Sequence, residues 1–172
     1  MKLNQVDSDR CCDLLAGLDF LAIEYYNIKK ARTKELTDHQ ILNIRKRWQN
    51  SDNKHFIETF IQYANLNDED ANLVRSWMYI ARGTFIIKSQ TPTHTIAETV
   101  SGQEFGLIGL GQGIPEVLNL PLPVLAKTIV LPYKDVIIYD GIIEATPLSQ
   151  ESLEELRLIR ERSHSTYPEK TI

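Results

Sequence analysis

The chain has 172 residues, of which 42% are hydrophobic and 24% charged, and it carries a formal net charge of −4. This composition excludes an intrinsically disordered protein, and the length is enough to bury a core without a disulfide or a structural metal. The mild acidity excludes a global attraction to nucleic acid or to anionic membranes, although it is compatible with a local basic patch.

The glycine and proline content divides the chain near residue 81. Residues 1–81 contain one glycine and no proline, whereas residues 82–147 contain the other seven glycines and six of the seven prolines. Such a shift predicts helices first, then strands and turns. We therefore predict a helical subdomain over residues 1–81, a β subdomain over 82–147, and a C-terminal helix with a tail over 148–172.

Four helices are predicted in the helical half. Apolar residues with heptad-like spacing predict a first helix over about residues 8–31. These residues are Cys11, Leu14, Leu18, Leu21, Tyr25 and Ile28. Thr37, three residues before a glutamine, forms a capping-box pattern that begins a second helix. Ser51 or Asp52 is expected to cap a third helix, and Asn67, which acidic residues follow, is expected to cap a fourth.

The β half is predicted to contain five or six short antiparallel strands. They cover residues 83–88, 94–100, 104–110, 127–133 and 136–139. Asp140–Gly141 is typical of a chain reversal, which would lead into a short edge strand at 142–145. A single helical turn is expected at 114–118, and the C-terminal helix is expected over about 149–163.

These elements together predict an α+β fold. An N-terminal helical bundle would pack on a small antiparallel β-meander or a partly closed barrel, and a C-terminal helix would follow. Val136 and Ile138, with Ile129 and Leu131 on the paired segment, are expected to form the β core.

The segment from Thr128 to Gly141 resembles a signature of uncharacterised bacterial proteins. In that signature a leucine-leucine-proline-aromatic-lysine run ends in isoleucine-isoleucine-tyrosine-aspartate-glycine. The segments 83–85 and 105–110 are also similar to upstream parts of that group. The resemblance covers roughly residues 82–144 and implies a related fold for the β half, without an activity.

The N-terminus and the cysteines predict the compartment. Asp7 and Asp9 lie where a secretory signal would have apolar residues, and no apolar run approaches the ~20 residues that span a bilayer. Cys11 and Cys12 are adjacent, so they cannot cross-link distant segments. We expect a reduced, cytoplasmic protein without a membrane partner, in which both cysteines act as small core residues.

A basic segment over residues 29–47 carries a local charge of +5. Its cations are Lys29, Lys30, Arg32, Lys34, Arg45, Lys46 and Arg47. Basic residues flanked by aromatic ones, here Tyr25, Tyr26 and Trp48, indicate a candidate nucleic-acid surface. In an antiparallel helix hairpin the two ends of this segment would lie apart, so a solvated helix end is the alternative.

Three residues of the β half form a candidate site. His94 lies in a predicted strand, and Asp135 and Asp140 lie at predicted turns, where two carboxylates could supply an acid–base pair or a site for a hard metal ion. The alternative is a solvated strand histidine with two aspartates that stabilise turns. The four histidines have no metal-ligand spacing, so we expect neither a metal nor another cofactor.

The sequence favours a non-enzymatic binding or interaction protein whose unidentified partner is expected to be a protein, with self-association left open. A nucleic-acid-binding regulator that uses residues 29–47 is one alternative. An enzyme with a carboxylate or His94 site in the β half is the other, and a pocket that gathers His94 with two carboxylates would favour it.

Overall fold

The computed structural model describes residues 1–28, 36–49 and 54–166. The chain is α+β, with a five-stranded mixed sheet between N-terminal helices and a C-terminal helix, which confirms the predicted fold class. The elements are α1 (Gln5–Tyr25), α2 (Asp38–Trp48), α3 (Lys54–Tyr63), α4 (Asp68–Ser76), β1 (Ala81–Gln90), β2 (Thr95–Thr99), β3 (Glu104–Ile108), α5 (Ile114–Leu118), β4 (Val124–Tyr133), β5 (Val136–Pro147) and α6 (Gln150–Thr166). A short 3₁₀ turn at Trp77–Tyr79 joins α4 to β1.

The five strands close into a barrel in the order β1-β2-β3-β5-β4. The prediction of a purely antiparallel sheet was wrong at one pairing, because β3 and β5 run parallel, with Leu107 opposite Ile137. Parallel neighbours need a crossover connection, and here α5 and β4 lie between the two strands in the chain. Closure pairs every strand on both sides, so the barrel has no open edge.

The predicted reversal at Asp140–Gly141 is absent, because both residues lie inside one continuous strand, β5. Tyr139 pairs with Val130 and Ile143 pairs with Thr128, so residues 140–142 stand opposite a single residue of β4. Gly141 has a φ of 91°, a left-handed conformation that glycine adopts without strain. The aspartate–glycine pair therefore makes a bulge in the strand, and bulges of this kind redirect side chains.

Helix caps explain where the helices begin and end. The capping box of Thr37 and the cap by Asn67 are confirmed, since each side chain accepts a hydrogen bond from a backbone amide of the helix it precedes. The first helix begins earlier than predicted, because Asn4 accepts a hydrogen bond from the amide of Asp7 at 2.9 Å. It ends at Tyr25, before Asn27 turns to a φ of 50°. The cap predicted at residues 51–52 lies outside the described residues.

The helices pack on the barrel through one continuous hydrophobic cluster. Leu18, Trp48 and Phe56 from the helices belong to the same cluster as Ile129 and Leu131 from the barrel. The predicted β core is confirmed for Ile129, Leu131 and Ile138, which are all buried, whereas Val136 is only partly buried. The predicted boundary near residue 81 coincides with the start of β1, and the division into subdomains stays a prediction.

Candidate functional site

A buried ion-pair network joins α1, α2 and the bulge of β5. Arg45 Nε donates to Asp19 Oδ2 at 2.9 Å, and Arg45 Nη1 donates to Asp140 Oδ2 and to the Asp140 carbonyl oxygen, each at 2.7 Å. Trp48 Nε1 donates to Asp19 Oδ1 at 2.9 Å, and the amide of Ile142 donates to Asp140 Oδ1 at 3.2 Å. Each carboxylate oxygen of the two aspartates thus accepts a hydrogen bond from the protein.

Local structure brings these side chains together. Asp19 lies on the core-facing side of α1, between the buried residues Leu15 and Ala22. Arg45 lies in the last turn of α2, one turn before the buried Trp48. The bulge of β5 places Asp140 beside Arg45, in a position with only 2% exposure. Three elements of the fold are needed to complete the network, so its geometry exists only in the folded chain.

Burial dominates the protonation behaviour of the network. Loss of water raises the pKa of the Asp19 carboxyl and of the Asp140 carboxyl, and the neighbouring Arg45 guanidinium opposes that rise. Burial alone would lower the pKa of Arg45, but the two carboxylates more than offset it, so the guanidinium is held in its charged form. The network is therefore one fixed cation between two acidic groups.

A cleft of about 410 Å³ opens above this network, between α1, α2 and β5. We call it the helix–barrel cleft, and it is lined by Cys12, Leu15, Ala16, Asp19, Phe20, Ile23, Leu36, Ile41, Arg45, Leu110, Asp140, Gly141 and Ile142. Most of these side chains are apolar, and Phe20 is 51% exposed. The polar groups of the lining are the ion-pair network and the thiol of Cys12.

Arg45 does not belong to an exposed basic surface, which corrects the prediction for this member of the basic segment. Its side chain is buried because two aspartates neutralise it inside the fold. Lys46 and Arg47 are exposed on α2, as a nucleic-acid surface would require. Lys29, Lys30, Arg32 and Lys34 lie outside the described residues.

The three predicted residues of the β half are divided between two clefts. His94 and Asp135 both line a cleft of about 460 Å³ that also includes Thr93 and Gly106. Thr93 Oγ1 lies 2.9 Å from His94 Nδ1, and a Cβ atom at Gly106 would lie 2.8 Å from the His94 ring, so the glycine makes room for the histidine. Asp140 lies instead in the helix–barrel cleft. It is part of strand β5 and not of the predicted turn, and its carboxylate forms an ion pair with Arg45. One carboxylate rather than two therefore shares the cleft of His94.

Sequence reasoning did not single out Asp19, although a signal was present. Asp19 lies one residue after Leu18 and four residues after Leu15, inside the apolar face of the predicted first helix. A carboxylate on such a face needs a buried partner, because an unpaired charge in a core is very costly. The sequence could not name Arg45 as that partner, since the two residues meet only when α1 and α2 pack.

The cysteines differ in their surroundings. Cys11 is buried and Cys12 is exposed, so only Cys11 is the small core residue predicted. Successive helix positions point roughly 100° apart, which explains the difference. Burial raises the pKa of the Cys11 thiol to about 12. The Cys12 thiol lines the helix–barrel cleft, and partial loss of water there raises its pKa as well, although the residue as a whole is exposed.

Among the residues that the structure describes, no group of three or more histidine, cysteine, aspartate or glutamate side chains is placed to hold a metal ion. No helix in that part of the chain is long and apolar enough to cross a bilayer.

Comparison of the chain with protein-family models, with curated proteins and with solved structures finds no match. The resemblance of residues 128–141 to uncharacterised bacterial proteins therefore stays a prediction. The geometry of the helix–barrel cleft is the strongest indication of function.

Proposed function

We propose that this protein is a binding protein that holds a small, mainly apolar ligand in the helix–barrel cleft. The cleft itself carries the proposal: its volume of about 410 Å³ falls in the range of ligand pockets, and its lining is mainly apolar with a few converging polar groups. The sequence also favours a binding protein, but with a protein as its expected partner, whereas the cleft supports a ligand of small-molecule size.

The ion-pair network supports this proposal because it holds the floor of the cleft in place. Asp19 and Asp140 approach Arg45 from α1 and β5, so the walls of the cleft are tied together by charge-assisted hydrogen bonds. A preorganised wall loses little conformational entropy when a ligand binds. Phe20 offers an exposed aromatic surface for the apolar part of a ligand.

Benzene is a suitable first probe, because it is apolar, compact and carries no hydrogen-bonding group. The indole N–H of Trp48 is bonded to Asp19, which lines the cleft, whereas the indole N–H of Trp77 is bonded to the Pro132 carbonyl oxygen at 3.0 Å. In ¹⁵N-resolved NMR titrations we expect a saturable shift of the Trp48 signal and little change in the Trp77 signal. Absence of any Trp48 shift up to the solubility limit of benzene contradicts the proposal.

A substitution that fills the cleft provides the matched test. Ala16 is exposed and lines the cleft, so Ala16→Leu should occupy its volume without disturbing the core, and binding of benzene should weaken. Ala64→Leu is the control, since Ala64 is an exposed residue beyond the end of α3 and outside the cleft lining. Equal binding in the Ala16→Leu variant and the wild type would place the benzene elsewhere.

A further inference from the structure

We infer that the ligand of the helix–barrel cleft is an uncharged molecule that presents a carbonyl oxygen, as in an amide or a ketone, to Nη2 of Arg45. This inference rests on the proposed function and specifies its ligand class.

The first observation is an unused donor on a buried side chain. Arg45 is only 7% exposed, and its hydrogen bonds are made by Nε and Nη1, while Nη2 donates to no described residue. Arg45 lines the helix–barrel cleft, and its Nη2 is not completely enclosed by protein atoms. A guanidinium N–H in a mainly apolar cleft favours an acceptor, because leaving such a donor unpaired is costly.

The second observation is the charge of the network, which determines the kind of acceptor. One guanidinium faces two carboxylic groups, and no other charged side chain lines the cleft within the described residues. A carboxylate ligand would bring a third acidic group to a single cation, and repulsion between like charges is strong where water is excluded. A neutral carbonyl oxygen accepts the hydrogen bond without that repulsion.

The hydrogen bonds of the two aspartates disfavour an amine. An ammonium ligand has donors only, so it cannot satisfy Nη2. It would also compete for carboxylate oxygens that already accept hydrogen bonds from Arg45, Trp48 and the amide of Ile142. Charge attraction alone would favour an amine, and this makes the amine the most informative competitor in a test.

Three probes of one chain length separate these chemistries: hexanamide, hexanoate and hexylammonium, titrated at pH 7 with the Trp48 indole signal as readout. We expect hexanamide to bind about tenfold more tightly than either charged probe, as is typical of one hydrogen bond to a charged group. We also expect hexanamide to shift the guanidinium signals of Arg45, whereas benzene should shift Trp48 alone. Equal binding of the three probes, or strongest binding of hexylammonium, would overturn the inference.

Arg45→Lys tests the donor directly, because lysine keeps the positive charge and removes Nη2. If this variant folds, the preference for hexanamide over hexanoate and hexylammonium should disappear. If it does not fold, the shift of the Arg45 guanidinium signals in the wild-type protein decides, since benzene is the matched probe without an oxygen. Binding of benzene without a preference for hexanamide refutes the inference alone, whereas failure of every probe to bind refutes the proposed function.

Discussion

Asp140 shows how one buried charge ties distant parts of this chain together. Asp140 lies in the bulge of β5, and its carboxylate forms an ion pair with Arg45 of α2. Its side chain has no exposed surface. Within the described residues its ion-pair partner is Arg45, so removing either residue leaves the other charge buried with fewer partners. At the residue scale, the stability of the protein should therefore be most sensitive at this network.

Asp140→Ala leaves Arg45 buried with one carboxylate instead of two. We expect the free energy of unfolding to fall by about 3–5 kcal/mol, as is typical when one partner of a buried ion pair is removed. Chemical denaturation of the two proteins measures the difference. Glu58→Ala is the matched control, because it breaks a more exposed pair with Arg75 and should cost much less. Similar losses in the two variants would contradict a dominant role for burial.

Thr95 offers the opposite case, a buried hydroxyl whose Oγ1 has no hydrogen-bond partner in the described structure. Thr95 itself is fully buried in β2. Thr95→Val keeps the shape and removes the unpaired group, so we expect a gain of about 1 kcal/mol in the free energy of unfolding. The control is Thr128→Val, which removes a hydroxyl that donates to the Ile142 carbonyl oxygen at 2.7 Å and should destabilise the protein. A loss of stability in Thr95→Val would show that its hydroxyl has a partner.

Asp7 should make the stability of the protein depend on pH in the acid range. Hydrogen bonds from the Tyr133 hydroxyl and from Lys134 lower the pKa of Asp7 from 3.8 to about 2. A depressed carboxyl pKa adds stability above 3.8, and this stability is lost as the pH falls towards 2. We expect Asp7→Asn to be less stable than the wild type at pH 7, with the difference shrinking between those two values. In a Tyr133→Phe background, Asp7→Asn should cost less stability than it does in the wild type. A stability difference between the wild type and Asp7→Asn that does not change with pH would exclude this mechanism.

At the scale of elements, β5 does the most to organise the molecule. It closes the barrel between β3 and β4, and its bulge supplies the acid that meets α2. Its buried residues Ile138 and Tyr139 belong to the same hydrophobic cluster as the core residues of the helices. The strand therefore connects the core of the barrel with the floor of the cleft.

Ile138 tests the packing of this strand. The side chain is fully buried, so Ile138→Ala should lower the free energy of unfolding by about 2–5 kcal/mol through lost burial and a cavity. Ile137→Ala is the control, because Ile137 is only partly buried and, as the residue next to Ile138 in the strand, points to the other face. Equal effects at the two positions would mean that β5 has a different register from the one in which Ile138 faces the core.

At the scale of the whole molecule, the position of Arg45 weakens the nucleic-acid alternative. Its guanidinium is committed to two aspartates, so the exposed cations of the described part of the basic segment are Lys46 and Arg47. Each phosphate contact on duplex DNA contributes about −0.9 to the slope of log K against log salt. Two exposed cations in the described part of the segment can make only a few phosphate contacts, and a few contacts give weak binding that salt removes easily.

We expect no binding to duplex DNA above background at ~0.15 M salt, measured by fluorescence anisotropy. Charge reversal at Lys46 and Arg47 tests any binding found at lower salt and leaves the buried network intact. Submicromolar, salt-sensitive binding that disappears in this double variant would restore the nucleic-acid alternative. The variant must retain the Trp48 indole signal of the folded protein as a control.

Much of the fold follows from local features that can be seen in the sequence. The caps at Thr37 and Asn67 begin α2 and α4 because their side chains bond to nearby backbone amides, and the apolar spacing of α1 needs no distant information. The change in glycine and proline content near residue 81 likewise marks the start of β1. Such features depend on only a few neighbouring residues, so they can be recognised without knowledge of the tertiary fold.

The sequence by itself determined the α+β class, the order of helices and strands, and three of the four strand residues expected in the β core. The tertiary structure alone decided the parallel pairing of β3 with β5, the bulge at Asp140–Gly141, and the meeting of Asp19, Arg45 and Asp140. Periodicity and capping depend on neighbours within one or two turns of chain, whereas these three features join residues that are far apart in sequence. The cleft belongs to the second group, because its walls come from α1, α2 and β5 and exist only once the barrel has closed.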